Sequence, residues 1–494
     1  MQKKIIENIL VFGLCVAVSG ITGCSSSDFT GHSTESGNVS GSSVNSDKPE
    51  SNGNGGGSIH LSDDGSEVSG DGIQVTDKKI TITKGGTYTV DGEVKDGQIY
   101  VGAGKEDEVT LEMNGVTLTN TSDKPIHVEN AGKLIFTSAG EKENIITAGT
   151  GTQSTENKTV KDAVQVSAIY SKDDITFESG SYVITASGDG IHSNDDVKIK
   201  GGTLTITCGD DGIHANESVE LKDGKLDIKG SYEGLEANQI EISGGEHSVV
   251  AQDDGINANG GSDAFGNNPG GGFGGRGDRR QGGKNGQQNG QSDNASQMAA
   301  RTMETSDDDN DNSNGDDETD EEKIPNLTIT GGILYVNSQG DGLDSNGNLT
   351  ITGGETIVDG PSSDGNGALD SGSENGGIIK IEGGTVLAVG SSRMSEFFDE
   401  NESSQCSFLH NFDAHFGEGV EIVITDENGK ELIRHKTVRS GDSVVFSSGD
   451  LQKDKTYKLQ AGDNSVDITL SSLSTMSGKE SRGMGGFGGG GFRK

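Results

Sequence analysis

Apolar residues fall at every second place in short runs along most of this chain, and glycine, asparagine and aspartate stand between the runs. Ile191-His192-Ser193, Val197-Lys198-Ile199 and Leu204-Thr205-Ile206 alternate in this way, the pattern of a strand with one face buried. Gly201-Gly202 and Gly209-Asp210-Asp211-Gly212 break the runs as turns. The set then begins again. Gly190-Ile191-His192-Ser193-Asn194 returns as Gly212-Ile213-His214-Ala215-Asn216, as Gly234-Leu235-Glu236-Ala237-Asn238 and as Gly255-Ile256-Asn257-Ala258-Asn259. The anchors Ile169, Ile191, Ile213, Leu235 and Ile256 are 22, 22, 22 and 21 residues apart. A fixed period of that length, filled with strands, predicts an all-β stacked repeat: one coil of a parallel β-helix per period, inward side chains piled coil on coil. A leucine-rich repeat has a similar length but needs a Leu and Asn consensus and a helical limb, and neither is visible.

Alternating runs at 80–82, 88–90, 109–111, 116–118, 126–128 and 134–136 predict earlier, less regular coils, and 149–161 a polar excursion. The regular pattern stops at Asn259 and resumes in phase. Leu327-Thr328-Ile329-Thr330-Gly331-Gly332 repeats Val197-Lys198-Ile199-Lys200-Gly201-Gly202. The Gly-, Asn-, Gln- and Asp-rich stretch 260–325 is therefore expected to be a disordered loop inserted in one coil, not a linker between domains. Leu343-Asp344-Ser345-Asn346 and Leu369-Asp370-Ser371 mark further coils, so the β-helix is expected over 73–394. Residues 395–475, opening with a short helix at 395–398, are expected to form a small C-terminal β element. It would cover the open end of the column, where unpaired backbone invites aggregation. Residues 25–72 read as a flexible Ser/Gly/Asn tether and 476–494 as a disordered Gly-rich tail.

Only 29% of the 494 residues are hydrophobic and 81 are glycine, thin for a globule but enough for a coil whose core is a narrow column. The formal charge of −41 argues against nucleic acid and anionic membrane surfaces as partners and is compatible with cations. Residues 1–24 have the form of a leader: Lys3 and Lys4 precede an apolar run over 9–18, too short to span a bilayer. It ends in Ile21-Thr22-Gly23-Cys24, which resembles a bacterial lipobox. That resemblance implies lipidation of Cys24 and an extracytoplasmic lipoprotein, tied to the membrane through its N-terminal lipid. Cys208 continues the inward phase of Leu204 and Ile206, as a buried thiol would; a bridge to Cys406 stays open.

Aligned on the anchors, Asp189, Asp211, Glu233, Asp254 and Asp341 all stand two places before, with Asp210 and Asp253 as neighbours. One place after stand His192, His214, Glu236, Asn257, Asp344 and Asp370. Parallel strands lie about 4.8 Å apart. Unit charges at about that spacing repel by roughly 1 kcal/mol in water and several times more in a half-buried groove. Such a file needs a counter-charge, and carboxylate, amide and carbonyl oxygens on successive turns are what calcium takes as ligands. Calcium is expected among Asp189, Asp210, Asp211, Glu233, Glu236, Asp253, Asp254, Asp341 and Asp344; the competing reading is aspartates favoured by turn geometry alone. Three places after the anchor, Asn194, Asn216, Asn238, Asn259 and Asn346 form a structural ladder, its amides expected to bond one another. His192 and His214 are stacked rungs rather than a zinc pair, and His247 a tolerated core residue. Lys172, at the Asn position one coil earlier, is the single candidate for a proton-abstracting base, against a plain surface lysine.

The Gly-Ile/Leu-x-x-Asn unit, Gly201-Gly202-Thr203-Leu204-Thr205-Ile206 and Asn144-Ile145-Ile146-Thr147 together resemble the clostridial-type carbohydrate-binding β-helix domain of bacterial surface proteins. That family is similar in fold to a calcium-dependent pectate lyase family. The resemblance covers about 75–390 and implies a right-handed coil, calcium at the Asp-rich turns, and binding of cellulose or pectic polysaccharide. With no Trp and 4% aromatics, a platform for stacking sugars has few candidates, so hydrogen bonds along a flat β-face and calcium bridges are expected to carry binding. The expected function is non-catalytic binding of extracellular polysaccharide by a monomeric surface lipoprotein. The alternatives are a calcium-dependent polyuronate lyase and a structural adhesin or wall spacer.

Overall fold

A computed structural model describes residues 55–138, 140–149, 165–259, 324–362, 365–373 and 376–480. Among the described residues, 31 strands join one continuous, mostly parallel sheet, four form a second, and there is no α-helix. Each regular coil supplies a short, a middle and a long strand, as in Ile191–Ser193, Asp196–Ile199 and Thr203–Thr207. Each pairs in parallel with its counterpart one period on. The anchors Ile126, Ile169, Ile191, Ile213, Leu235, Ile256 and Leu343 stand in one register, all fully buried. The β-helix-like column predicted from the 22-residue period is what forms.

Two glycine files make the coils stackable. Gly202, Gly245 and Gly332 take φ of +87°, +84° and +79° at the turn before the long strand, a region that other residues adopt at a cost. The glycine before each anchor from Ile191 to Leu343 is needed for space. A Cβ on Gly234 would lie 2.1 Å from the Gly255 carbonyl oxygen of the next coil, and one on Gly212 2.6 Å from that of Gly234.

The coil pattern continues across the predicted insertion. Ile256–Ala258 pairs with Leu235-Glu236-Ala237 as a short strand, and Asn326–Ile329 with Gln239–Ile242 of the same preceding coil as a middle strand. The inserted segment thus joins two strands of one coil. Residues 260–323 themselves lie outside the described residues, as do the leader with Cys24, the chain up to 54, 150–164 and the tail beyond 480.

Two boundaries and one element differ from expectation. The tether cannot run to 72, because Gly55–Leu61 is a strand, paired in parallel with Gly86–Val94 and antiparallel with Glu67–Asp71. Its run of glycines hides the alternation, yet Ile59 and Leu61 enter the core. The tail cannot begin at 476, because Ser474–Gly478 pairs with Ser407-Phe408-Leu409-His410-Asn411. No helix forms at 395–398: Phe398 is pulled into the core and the Glu396 carboxylate accepts from the Ser371 N–H and hydroxyl, which holds the chain extended.

The C-terminal element closes the column by hydrogen bonding. Gly441–Ser447 adds antiparallel to Thr385–Gly390, the last long strand, and Ser407–Phe416 adds beyond it. A second core, including Phe408, Phe446, Ile422 and Leu459, joins this element to a four-stranded antiparallel sheet over 421–469. Cys208 and Cys406 are separate buried thiols, so the bridge left open by the sequence does not form.

Candidate functional site

Alternation along the short strands decides what this face of the column presents. The anchor points in, the next residue out, and the third in again, where Ser193, Ala215, Ala237 and Ser345 are fully buried. The face therefore carries three outward files: the acids two before the anchor, the residues one after it, and the asparagines three after it.

The acid file is bound to the backbone of the next coil. The Asp211 N–H donates to Asp189 Oδ1 at 3.2 Å, Asp341 N–H to Asp254 Oδ1 at 2.6 Å, and Gly367 N–H to Asp341. What partners the file changes along the column. In its first half the partners are histidines. His192 Nδ1 lies 2.9 Å from Asp189 Oδ2, and His214 Nδ1 sits 3.2 Å from Asp211 Oδ2 and 2.9 Å from Glu236 Oε2. Burial works against the His214 imidazolium, but hydrogen bonds to the two carboxylates more than offset it and raise it to about 11. Burial pushes the Asp211 carboxyl up, while Glu236, opposed by the same burial, is held low by its hydrogen bond from His214.

In the second half the donors are oxygens. Asp254, Asp341 and Asp344 each bring a carboxylate oxygen within 4.8 Å of the others. Burial raises Asp341 to about 8, and the like charges of Asp254, Asp370 and Asp344 add to it. Burial likewise raises Glu233 to about 8, with Glu236 adding, and Asp254 to about 6. The space around these groups is shaped. A Cβ on Gly340 would stand 2.2 Å from Asp254 Oδ1 and 2.5 Å from Asp253 Oδ1, so only glycine lets the two carboxylates converge there. Asn257 occupies the rung between Glu236 and Asp344 and is 7% exposed. Its Nδ2 donates to Glu233, while its buried Oδ1 has no hydrogen-bond partner. An acceptor without a donor, set among crowded carboxylates, fits a hard divalent cation with oxygen ligands, and calcium suits a set of this kind.

Of the nine expected metal ligands, Asp254, Asp341 and Asp344 converge in this oxygen cluster, and Asp253 flanks it through Gly340. Asp211 and Glu236 converge instead on His214, which supplies their counter-charge. Asp189, Asp210 and Glu233 stay outside both clusters. Three of the asparagines have other partners: Asn216 meets His214, Asn238 meets Gln239, and Asn259 donates to Glu236. An amide-to-amide rung forms elsewhere, Asn348 to Asn326 at 3.1 Å. Lys172 is ion-paired with Glu129, whose hydrogen bond shifts it above its ordinary range and so favours its protonated form. It also lies five rungs, about 24 Å, from the coil of Asp344. His247 packs in the core, and His192 and His214 stack with centroids 4.6 Å apart, both as expected. Not foreseen is the continuation of the second file toward the N-terminus through Tyr170, His127 and Tyr100; Tyr170 keeps the 22-residue period, but the spacing to His127 and Tyr100 departs from it.

The model of a family described as carbohydrate-binding domain-containing protein matches residues 76–357, more than half of the chain and nearly all of the column. The chain belongs to this carbohydrate-binding domain family. A curated relative in Acetivibrio thermocellus, also described as a carbohydrate-binding domain-containing protein, is 37% identical over 118 residues, 24% of this chain. The match spans 40% of that relative's length. Among solved structures, the gadolinium derivative of a polysaccharide lyase-like protein from C. thermocellum is similar over 66% of this chain and 96% of its own, at 23% identity and a TM-score of 0.38. Both oxygen and histidine clusters of this carbohydrate-binding domain protein fall inside the matched segment.

Proposed function

We propose that this protein binds extracellular polysaccharide without cleaving it, through the outward face of its short strands, with calcium held in the oxygen cluster. Asp254, Asp341 and Asp344 would hold the ion, with Asn257 Oδ1 beside them. Bound there, calcium would neutralise the file and offer open coordination to a sugar carboxylate or hydroxyl. An acidic chain facing an acidic glycan needs such a bridge. Cys24 would carry the lipid that keeps the protein extracytoplasmic, as a monomer on a tether shorter than 25–72. The coil is taken as right-handed, the hand of nearly all parallel crossovers.

The observation that carries this reading is the convergence of three carboxylates on one another, on the edge where the next rung holds the partnerless amide oxygen of Asn257, within a carbohydrate-binding family match. The test is retention of the full chain on insoluble cellulose and its titration with polygalacturonate, each with calcium and with a chelator. Saturable binding to polygalacturonate that disappears with the chelator is expected. A protein that binds no polysaccharide in calcium overturns the proposal. Steady release of unsaturated, ultraviolet-absorbing products would overturn its non-catalytic part.

A further inference from the structure

The file one residue past the anchors begins with rings. Tyr100, His127, Tyr170, His192 and His214 stand on successive rungs in unbroken register. Their centroids are 5.2, 5.4, 5.1 and 4.6 Å apart along the file. The first two contacts are edge-to-face, at 75° and 81°, and the last two stacked, at 23° and 7°. An edge-to-face contact covers the face of one ring only. The Tyr100 and His127 end therefore keeps ring face that the stacked half gives up, Tyr170 gives one face to His192, and all three rings are half-buried, not enclosed.

Polar groups accompany these rings. Lys79 Nζ lies over the Tyr100 ring, 3.9 Å from its centre, and Lys124 Nζ over that of Tyr170 at 4.8 Å, both on flexible stems that an arriving sugar would displace. Two residues further along each strand, and facing the same way, stand Glu129, Lys172 and Asn194, with His127 Nε2 3.4 Å from Glu129. Ring ladders also stabilise sheets by packing alone. Packing does not explain why outward rings, in a chain with seven Tyr and no Trp, share their face with a parallel file of donors and acceptors. Apolar ring surface beside hydrogen-bonding groups matches a pyranose, which has C–H faces and a rim of hydroxyls. The repeat matches too. Rungs about 4.8 Å apart have nearly the advance of one sugar along an extended pyranose chain.

We infer that a linear, uncharged polysaccharide lies along this face, parallel to the coil axis. Its sugar faces rest on Tyr100, His127 and Tyr170, and its hydroxyls meet Glu129, Lys172 and Asn194. The inference rests on the polysaccharide-binding reading above but not on its calcium site, which lies several coils away.

The test uses the full chain and insoluble cellulose in the presence of a chelator, with depletion isotherms for wild type, the pair Tyr100→Ala/Tyr170→Ala, the pair Tyr100→Phe/Tyr170→Phe, and Thr205→Ala on another outward face. The alanine pair is expected to bind roughly tenfold more weakly, with the phenylalanine pair and Thr205→Ala close to wild type. An alanine pair that melts like wild type and binds cellulose equally well overturns the inference. So does a wild type that binds polygalacturonate but not cellulose, an outcome that leaves the proposed function standing; a wild type that binds neither removes both. A second measurement needs no variant. Tyrosine dominates the emission of a chain without Trp, and soluble cello-oligosaccharide is expected to change it; an unchanged spectrum at saturation overturns the inference.

Discussion

Asp254 and Asp341 occupy the same place in their coils as Asp189 and Asp211, yet only the earlier pair has an imidazole at hand. That difference sets a pH dependence. In the metal-free protein the raised carboxyls of Asp341 and Glu233, near 8, and Asp254, near 6, favour the protonated form on folding. Their stabilising contribution is complete below the ordinary carboxylate range and is lost as pH rises through about 6 to 8. Metal-free protein is expected to melt several degrees higher at about pH 5 than at about pH 8.5, and added calcium to restore most of the loss at the higher pH. Calorimetric scans at the two pH values, with and without calcium, check this; a metal-free melting point that rises with pH contradicts it. Asp341→Asn should flatten the profile and remove most of the calcium effect. Glycine is equally demanding at this scale. Gly234→Ala brings a Cβ to 2.1 Å from the Gly255 oxygen and is expected to cost roughly 3 kcal/mol or more in denaturant unfolding, against a fraction of that for an exposed site such as Gly417→Ala, where a Cβ meets nothing.

At the scale of strands and turns, the sequence makes the regular coils legible because one side-chain period and one coil period coincide from Ile169 to Ile256. The acid file follows from the same alignment, since residues at one offset from stacked anchors must share an edge. What neutralises each acid is not legible: His214 reaches both Asp211 and Glu236 across coils, a matter of side-chain reach that spacing does not encode. The ring file was hidden because Tyr100 and His127 belong to coils of other lengths, and the first strand because glycines carry no hydrophobic pattern. Two element-scale outcomes follow. Removing 263–322 should leave melting temperature and polysaccharide binding close to wild type, because the segment only joins two strands of one coil; loss of binding would favour the adhesin reading. Truncating the chain after Gly390 should expose the Thr385–Gly390 edge and cause concentration-dependent aggregation in light scattering, whereas a monodisperse product would show that the terminal element does not protect it.

Across the whole molecule, a charge of −41 keeps the chain soluble and repels acidic polymers, so the sites that attract a glycan must overcome that field locally. On the proposed reading the column does this with two different devices on one face. Rings and hydrogen-bonding groups occupy its first coils, and an oxygen cluster occupies its later ones. Stacking is what brings Asp254, Asp341 and Asp344 together although 87 residues separate the first two. The most direct test of that convergence is isothermal titration of calcium into metal-stripped full chain at about pH 8, beside Asp254→Asn/Asp341→Asn. Saturable uptake by the wild type, weakened at least tenfold in the variant, is the predicted result. Absence of uptake by the wild type, or equal uptake by both, would contradict the account.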